Sequence, residues 1–207
     1  MQFFITATGT DIGKTFILEN ICRQLLKNGK KVTAIKPIIS GFQDDDPSSD
    51  SAKILTILGL DLNQKNLDSI SPYRFKAPLS PNIAANLENK NIDFEELVKF
   101  CQNKIDQAKQ NNSYLFIEGA GGVMTPINND KTFADLISEL KIPTILVVGN
   151  YLGTISHTLT SIKAMQAHNI KVSQIILNCH DKQIGVDDHL KTIKQFTNIN
   201  ISNQIDL

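Results

Sequence analysis

The segment from Phe3 to Thr15 constrains the fold of this chain more than any other. An apolar run, Phe3-Phe4-Ile5, leads into a glycine-bearing loop that ends in Gly13-Lys14-Thr15, and a helical apolar pattern follows. Strand, loop and helix in this order are typical of a phosphate-binding loop, whose backbone N–H groups and helix N-terminus hold an anion. Lys14 is then expected to reach the outer phosphates, and the Thr15 hydroxyl to coordinate magnesium. The strict motif has a glycine where this chain has Thr8, and Gly9 follows one position later.

Length and composition favour one globular domain over residues 1–207. The chain is 41% hydrophobic and 20% charged, which suits a folded core rather than a disordered segment. Its 21 basic and 21 acidic residues give a net charge of zero. We therefore expect neither nucleic acid nor an anionic membrane as a partner, because both require a basic excess. Phosphate binding must come from the local placement of lysines and backbone N–H groups.

The sequence predicts a cytoplasmic protein. It enters its first strand at once, without the pattern of a signal peptide, and no apolar run approaches the roughly 18 residues that a membrane span needs. Its three cysteines are widely spaced and odd in number, which argues against a disulfide framework or a metal site. We expect mostly buried, reduced thiols at these positions: Cys22, Cys101 and Cys179.

Strand patterns and helix patterns alternate along the chain. This alternation predicts an α/β fold with a doubly wound, mostly parallel sheet and helices on both faces. The most apolar strand, 144–149, is expected to be buried on both faces. Strands are predicted at 2–7, 31–36, 114–118, 144–149 and 172–178, and helices at 14–28, 51–58, 94–110, 133–140, 156–168 and 187–196.

Three polar segments follow predicted strands, at the carboxyl edge of the sheet where ligands bind in such folds. They are residues 8–15, 36–41 and 118–122. In the second segment, Pro37 is expected to turn the chain out of the sheet and leave Lys36 at the site. A second lysine there suits the charge that develops on a transferring phosphoryl group. The alternative is a lysine that extends from the strand end into solvent.

Two carboxylates are candidates for a cation site. Glu118 ends a buried strand, where a carboxylate is costly unless it meets a cation such as phosphate-bound magnesium. The following glycines allow close approach of a ligand to the backbone. The alternative is that Glu118 caps a helix or pairs with a lysine. Asp50 begins a helix, and composition favours an N-cap there over a magnesium ligand.

Residues 152–157 lie at the start of another helix. Exposed N–H groups at that start are able to hold a carboxylate, but the simpler interpretation is a helix N-terminus opened by Thr154 or Ser156. For His157, a structural role is favoured over proton transfer, because the sequence shows no partner for it.

Together these segments resemble the dethiobiotin synthetase family over roughly positions 2–180. Glycine-lysine-threonine alone is weakly specific, whereas the ordered set is highly specific. The motifs that carry the resemblance are Thr8-Gly-Thr-Asp-Ile-Gly-Lys-Thr15, Lys36-Pro37, Ser40-Gly41, Ser49-Asp50, Ser80-Pro81, Glu118-Gly-Ala-Gly-Gly122, Thr125-Pro126, Phe133-Ala-Asp135, Leu152-Gly153 and Asn178. The chain departs from the family pattern at Ala7 and Gly9, which shift a loop glycine, and at Asp11, where glutamate is common.

The resemblance implies a homodimeric ATP-dependent ligase with its site at the subunit interface. It would convert 7,8-diaminopelargonate and CO2, with Mg-ATP, through a carbamate and a carbamic–phosphoric anhydride. Lys14 and Lys36 would be catalytic, and Thr15, Asp50 and Glu118 would hold Mg2+. In the same resemblance, Thr10 and Ser40 would bind the amine end of the substrate, and the partner subunit would bind its carboxylate through Tyr151, Leu152, Gly153 and Thr154. The implied nucleotide contacts are Asp11, Ile12, Gly13, Lys14, Thr15, Phe16, Asp50, Glu118, Gly119, Ala120, Gly121, Asn178 and Cys179, with Asn178 at the adenine.

Two other functions use similar loops. A nucleotide-switch ATPase of the partition or metal-insertion type would not need Lys36-Pro37 with Ser40-Gly41. An amidotransferase-coupled synthetase acting on corrinoid carboxylates would carry a glutaminase domain, which a chain of 207 residues has no room for.

Overall fold

Six parallel strands form the central sheet, in the order Val32–Ile35, Tyr114–Glu118, Gln2–Ala7, Thr144–Gly149, Val172–Asn178 and Ile201–Ser202. This computed structural model describes residues 1–43, 46–179 and 185–203. The strands of this sheet are β1 (Gln2–Ala7), β2 (Val32–Ile35), β5 (Tyr114–Glu118), β6 (Thr144–Gly149), β7 (Val172–Asn178) and β8 (Ile201–Ser202). The predicted parallel α/β architecture is confirmed, and the short edge strand β8 is an addition to it.

Helices connect these strands, as the apolar periodicity predicts. Within the described residues they are α1 (Lys14–Lys27), α2 (Asp50–Ile57), α3 (Gln64–Ile70), α4 (Pro81–Leu87), α5 (Phe94–Gln110), α6 (Phe133–Leu140), α7 (Thr154–Ala167) and α8 (Val186–Phe196). The bounds of α5 and α6 agree with the prediction, and α7 begins two residues earlier than predicted. The short helices α3 and α4 were not predicted.

A second, two-stranded sheet stands apart from the central one. Its parallel strands are β3 (Ile38–Ser40) and β4 (Tyr73–Phe75). The main-chain N–H of Lys36 donates to the carbonyl of Ile70 rather than to a neighbouring strand of the central sheet. Pro37 thus turns the chain out of the central sheet, as predicted, and the new direction carries Ser40 along the side of the site.

The core lies on both faces of the central sheet. Every residue of β6 is buried, as expected for a strand covered on two faces. Phe4, Phe116 and Phe133 are fully buried, and the ring of Phe133 lies 6.5 Å from that of Phe4. Cys22 and Cys101 are buried free thiols, as expected, and burial raises the pKa of each to about 12. Among the described helices, none is long and apolar enough to cross a membrane.

Strand register sets the position of the site. β1 lies between β5 and β6, with Ile5 opposite Glu118 and Ala7 opposite Val147. The loop after β1 therefore begins just above the end of β5. The main-chain N–H of Val123 donates to the Ala7 carbonyl, which joins the two loops at the carboxyl edge of the sheet.

Candidate active site

A cavity of about 1230 Å³ opens at this edge. It is large enough for more than one small ligand, since typical ligand cavities measure roughly 300–1000 Å³. All three strand-end segments predicted from the sequence contribute to its walls. Its lining includes Thr10, Asp11, Gly13, Lys14, Thr15, Phe16, Lys36, Ser40, Asp50, Glu118, Ala120, Gly121 and Gly122.

The phosphate loop presents unpaired N–H groups at the start of α1. In the described part of the chain, the N–H groups of Gly13, Lys14 and Thr15 have no acceptor. Gly13 adopts a left-handed backbone with φ of 95°, which turns the chain into the helix. These are the features of an anion-binding helix start, as predicted.

Asn178 holds this loop from the end of β7. Its side-chain amide donates to the Ile12 carbonyl at 2.8 Å. A Cβ on Gly13 would lie only 2.1 Å from the same nitrogen, so a glycine is required there. No sequence pattern indicates this contact. The predicted contact of Asn178 with adenine stays a prediction, as does that of Cys179, which is half-buried beside it.

Gly9 does not replace the glycine that the strict motif has at position 8, because no close contact requires a glycine at position 9. A Cβ on Gly9 would meet only the Ile12 side chain, at 3.9 Å. The close approach occurs instead at Gly122, where a Cβ would lie 3.3 Å from the Thr8 carbonyl oxygen and 3.4 Å from the Gly9 Cα. A small residue in the second loop therefore allows the two loops to pack together.

Lys14 joins the two glycine-bearing loops. Its Nζ donates to the Gly9 carbonyl at 3.0 Å and to the Gly121 carbonyl at 2.8 Å. Burial lowers the pKa of Lys14 from 10.5 to about 8; Glu118 opposes this shift and the nearby Lys36 adds to it. The charged form of Lys14 is thus poorly stabilised, and a phosphate would supply the missing negative charge.

Lys36 lies between two carboxylates. Its side chain is buried; Nζ donates to Glu118 Oε1 at 2.8 Å and also pairs with the Asp50 carboxylate. Burial would lower the pKa of Lys36, but the two carboxylates outweigh it and raise the pKa above its usual range. The alternative in which Lys36 extends into solvent is therefore wrong.

The three predicted magnesium ligands lie together. The Thr15 hydroxyl donates to Glu118 Oε1 at 2.7 Å, and Asp50 meets the same group through Lys36. Burial opposes ionisation of Asp50, but Lys36 and Thr15 hold the pKa of its carboxyl below the usual range. Glu118 is fully buried, and its Oε2 has no hydrogen-bond partner among the described residues. Hydroxyl and carboxylate oxygens with an unsatisfied buried acceptor fit a hard divalent cation.

These contacts also decide between the sequence alternatives for the two carboxylates. Glu118 does pair with a lysine, Lys36, through Oε1, while its Oε2 has no hydrogen-bond partner in the part of the chain that the structure describes. Asp50 is not an N-cap: the cap of α2 is Ser49, whose hydroxyl accepts from the main-chain N–H of Ala52 at 3.2 Å. In the described residues, no three His, Cys, Asp or Glu side chains form a metal-binding group, so a cation here would need ligand oxygens as well.

The predicted amine-binding hydroxyls line the same cavity. Within the described ranges Ser40 Oγ is buried without a hydrogen-bond partner, whereas Thr10 is exposed at the mouth. Both positions leave a hydroxyl oxygen available to a ligand.

None of the predicted carboxylate-binding residues Tyr151 to Thr154 is among the described residues that line this cavity. Leu152, Gly153 and Thr154 instead line a smaller cavity of about 650 Å³, together with Phe196. Thr154 is buried and its hydroxyl donates to the Gly149 carbonyl, while Gly153 takes the capping position of α7. Neither of the residues proposed to open α7 from the sequence is its N-cap. Because these residues were assigned to a partner subunit, their role in substrate binding stays a prediction.

Several lining residues were not singled out as ligands from the sequence. Lys53 lies one helical turn after Asp50, so its spacing from the Ser49-Asp50 motif was an available signal. His157, Thr160 and Ser161 of α7 form another wall, and His157 does have a partner, the hydroxyl of Tyr151. No sequence pattern indicates which face of α7 meets the cavity.

Comparison with known proteins supports the fold. A family model described as an AAA domain matches residues 1–206. Among solved structures, a ParA family ATPase from Chlorobium tepidum TLS superposes with a TM-score of 0.57 at 18% identity, covering 100% of this chain and 84% of that chain. The cell division protein MinD from Aquifex aeolicus gives a TM-score of 0.56 at 18% identity, covering 97% and 79%. At this identity these two structures support the fold alone.

Curated relatives are far more similar. The ATP-dependent dethiobiotin synthetase BioD of Caulobacter sp. (strain K31) is 40% identical over 84% of this chain and 74% of its own length. The protein of that name from Caulobacter vibrioides (strain NA1000 / CB15N) is 37% identical over 94% and 87%. The one from Legionella pneumophila (strain Paris) is 35% identical over 93% and 87%. The chain belongs to the ATP-dependent dethiobiotin synthetase family.

Proposed function

We propose that this protein is the ATP-dependent ligase of biotin synthesis that converts 7,8-diaminopelargonate and CO2 into dethiobiotin, releasing ADP and phosphate. The observation that carries the proposal is the placement of Lys36 with Lys14, Asp50 and Glu118 in one cavity beside the phosphate loop. Nucleotide binding alone does not require a second buried lysine there. Curated relatives at 35–40% identity, named ATP-dependent dethiobiotin synthetase, support the same activity.

The proposed reaction has three steps. A neutral substrate amine attacks CO2 and loses a proton, which gives a carbamate. A carbamate oxygen then attacks the γ-phosphorus of ATP as the bond to the ADP oxygen breaks, which gives a carbamic–phosphoric anhydride. The second amine attacks the carbonyl carbon of this anhydride, loses a proton and expels phosphate as the ureido ring closes.

The residues of the cavity suit the charge changes in these steps. Lys14 and Lys36 stabilise negative charge on the carbamate and on the transferring phosphoryl group, while the free N–H groups of Gly13 to Thr15 hold the phosphates. Two ammonium groups also disfavour a third at the substrate, which keeps its attacking amine neutral. Most of the acceleration would come from positioning and electrostatics.

Magnesium fits the oxygen donors Thr15, Asp50 and Glu118, and Oε2 of Glu118 is the buried acceptor that it would satisfy. Bound with ATP, it would neutralise charge on the phosphates during transfer. Ser40 Oγ, which is buried in this cavity wall without a partner among the described residues, suits a hydrogen bond from a substrate amine, and Thr10 stands across the mouth.

Phosphate release measures this function directly. Purified protein with 7,8-diaminopelargonate, bicarbonate, Mg2+ and ATP should release phosphate, and mass spectrometry should find dethiobiotin. Omitting the diamine should abolish both signals, and 7-aminopelargonate, which has no second amine, should give no ring. Phosphate release that does not depend on the diamine would refute the ligase and favour the nucleotide-switch ATPase.

A further inference from the structure

We propose that Lys36 is a displaceable cation: its ammonium group balances Glu118 and Asp50 in the free protein and leaves them for the phosphate loop when a divalent cation binds there. This inference rests on the proposed function for the ligands of the cation, but not for the ligase reaction. It goes beyond that function because it gives Lys36 two positions, only one of which is able to act on a substrate.

The ammonium group of Lys36 contacts two of the three proposed metal ligands. Its Nζ donates to Glu118 Oε1 at 2.8 Å and pairs with the Asp50 carboxylate. The third ligand, the Thr15 hydroxyl, donates to the same Glu118 Oε1 at 2.7 Å. The ammonium group therefore lies among the oxygens that a divalent cation would need.

Glu118 Oε1 has no capacity for a further partner while Lys36 and Thr15 are in place. A carboxylate oxygen offers about two lone-pair directions, and these two donors use both. A cation bonded to Oε1 must therefore replace one of the two hydrogen bonds. The oxygen of Thr15 remains useful as a ligand after its hydroxyl turns, whereas the ammonium group of Lys36 has no lone pair to offer.

Repulsion also separates the two cations. Mg2+ binds its ligand oxygens at about 2.1 Å, so a cation on Glu118 Oε1 would lie within about 5 Å of Lys36 Nζ. Lys36 and Glu118 are both buried, so water screens little of the repulsion between an ammonium group and a divalent ion there. Lys36 is thus driven off the carboxylates when the cation binds to them.

The charges explain where Lys36 goes. In the free protein its single positive charge is shared between two carboxylates. A divalent cation balances both carboxylates by itself, which leaves the charge of Lys36 available to another anion. The flexible four-carbon chain of lysine allows Nζ to turn within the cavity, whose wall includes the start of α1 at Gly13 and Lys14. An anion held by that loop is the partner that the cavity offers.

The second oxygen of Glu118 permits one alternative arrangement. Among the described residues, Oε2 is buried without a hydrogen-bond partner. A cation that bound Oε2 alone would leave Lys36 on both carboxylates, and Lys36 would then have a single position. The two arrangements differ in whether Lys36 competes with the cation.

Metal binding without nucleotide or diamine tests this competition, with Mn2+ as the probe and electron paramagnetic resonance to measure the free ion. A hydrogen bond between charged groups must be broken in the wild type, which weakens binding by about 10-fold or more. Lys36→Met should therefore bind Mn2+ at least about 10-fold more tightly than the wild type. Lys36→Arg keeps a cation between the carboxylates and should bind Mn2+ no more tightly than the wild type.

Lys53→Met is the matched control for the loss of a positive charge. Lys53 lies on α2 one turn after Asp50 and lines the rim of the cavity, but among the described ion pairs it has none with Asp50. Its charge acts on Asp50 through solvent, so its removal should change the affinity for Mn2+ by less than about 3-fold.

NMR of the wild-type protein gives a second measurement that does not depend on the folding of a variant. The ammonium protons of Lys36, assigned by their absence from spectra of Lys36→Arg, are protected while the group is buried in two ion pairs. Their exchange with water should accelerate by at least about 10-fold when Mg2+ is added to the ADP complex, because the released group meets solvent in the open cavity. ADP with EDTA should leave their exchange unchanged.

Unchanged exchange of these protons on addition of Mg2+ would overturn the inference. Equal Mn2+ binding by the wild type and a folded Lys36→Met variant, including no binding to either, would also overturn it. Neither measurement contains the diamine. A ligase assay that yields no dethiobiotin while Lys36 is displaced by the cation would therefore refute the proposed function and leave this inference standing.

Discussion

Lys36 is a buried lysine whose charge is balanced by two carboxylates. Its ammonium group is buried between Glu118 and Asp50, and neither carboxylate has another cation at comparable distance among the described ion pairs. Removing one partner of a buried ion pair costs about 3–5 kcal/mol, because a charge is left unpaired. Lys36 therefore balances the two carboxylates in the free protein, in addition to its proposed role in the transition state.

Replacing Lys36 should separate these two roles. In Lys36→Met we expect diamine-dependent phosphate release to fall by at least about 100-fold, as for other residues that stabilise transition-state charge. The free energy of unfolding should fall by about 3–5 kcal/mol without ligand. Mg-ATP should restore part of it, since magnesium can balance Glu118 and Asp50. Turnover, and urea unfolding with and without Mg-ATP, measure these two effects. Lys53→Met, at the exposed rim, is the control. Unchanged turnover in Lys36→Met would remove Lys36 from the catalytic residues.

The lowered pKa of Lys14 predicts that nucleotide binding is coupled to the uptake of a proton. Burial and Lys36 hold its pKa at about 8 in the free protein, and bound phosphates would raise it. Since the bound form has the higher pKa, affinity for Mg-ATP should fall as pH rises above 8. At pH 9 about 0.9 of the Lys14 side chains would be neutral, so binding should take up nearly one proton. Calorimetry in two buffers of different ionisation enthalpy measures this uptake. It should vanish in Lys14→Arg, and buffer-independent heats for the wild type at pH 9 would contradict the prediction.

At the scale of elements, the start of α1 depends on one glycine. Gly13 and Gly59 both have positive φ, but only Gly13 faces a neighbour, the Asn178 amide at 2.1 Å from a built Cβ. A left-handed non-glycine residue costs of order 1–3 kcal/mol by itself. Gly59→Ala should show only this cost. Gly13→Ala should in addition displace Asn178 from Ile12 and weaken ATP binding.

Thermal unfolding and ATP titration of both variants test this difference. Removing the obstructing side chain in Gly13→Ala with Asn178→Ala should recover part of the stability lost in the single variant, because the steric conflict is gone. Equal losses in Gly13→Ala and Gly59→Ala, with ATP binding intact in both, would show that the contact with Asn178 does not matter.

The helices and strands also show which parts of the fold can be predicted from the sequence. Long periodic segments such as α5 and the apolar strand β6 were predicted with the bounds that the structure has, because their patterns span several turns or both faces of a sheet. The strands β3 and β4 have three residues each, too few for an alternating pattern to be recognised. The helix α4 was missed although Pro81 follows Ser80, the sign of a helix start.

The sequence also predicts part of the site, namely the residues that the strand ends bring together. Lys36 directly follows β2, Glu118 ends β5, and Lys14 ends the loop that follows β1, so the parallel topology brings all three to the same edge of the sheet. The contact between Asn178 and Ile12 and that between Tyr151 and His157 depend on side-chain directions at distant or adjacent turns, which no periodicity encodes.

At the scale of the whole molecule, the apolar surface near α7 indicates an interface with a second copy of the chain. Leu152 is fully exposed and Phe196 is largely exposed, and both line the smaller cavity with Ile155 and Leu159. Apolar side chains grouped around a surface cavity are typical of an interface. The homodimer implied by the family resemblance would cover this face and bring the Gly153 turn of one copy to the substrate of the other.

Leu152→Asp tests that arrangement, because it places a charge where the second copy would dock. Light scattering should find a dimer for the wild type and a shift toward monomer for Leu152→Asp. The KM for the diamine should rise by at least about 10-fold in this variant, since a misplaced charge in an interface costs several kcal/mol. ATP binding should stay near the wild-type value, because the phosphate loop belongs to one chain. Leu26→Asp makes the same chemical change at another exposed leucine, on α1, and should leave mass and turnover unchanged. A wild-type monomer with full turnover would exclude a shared site and place the whole reaction, including recognition of the carboxylate, within one chain.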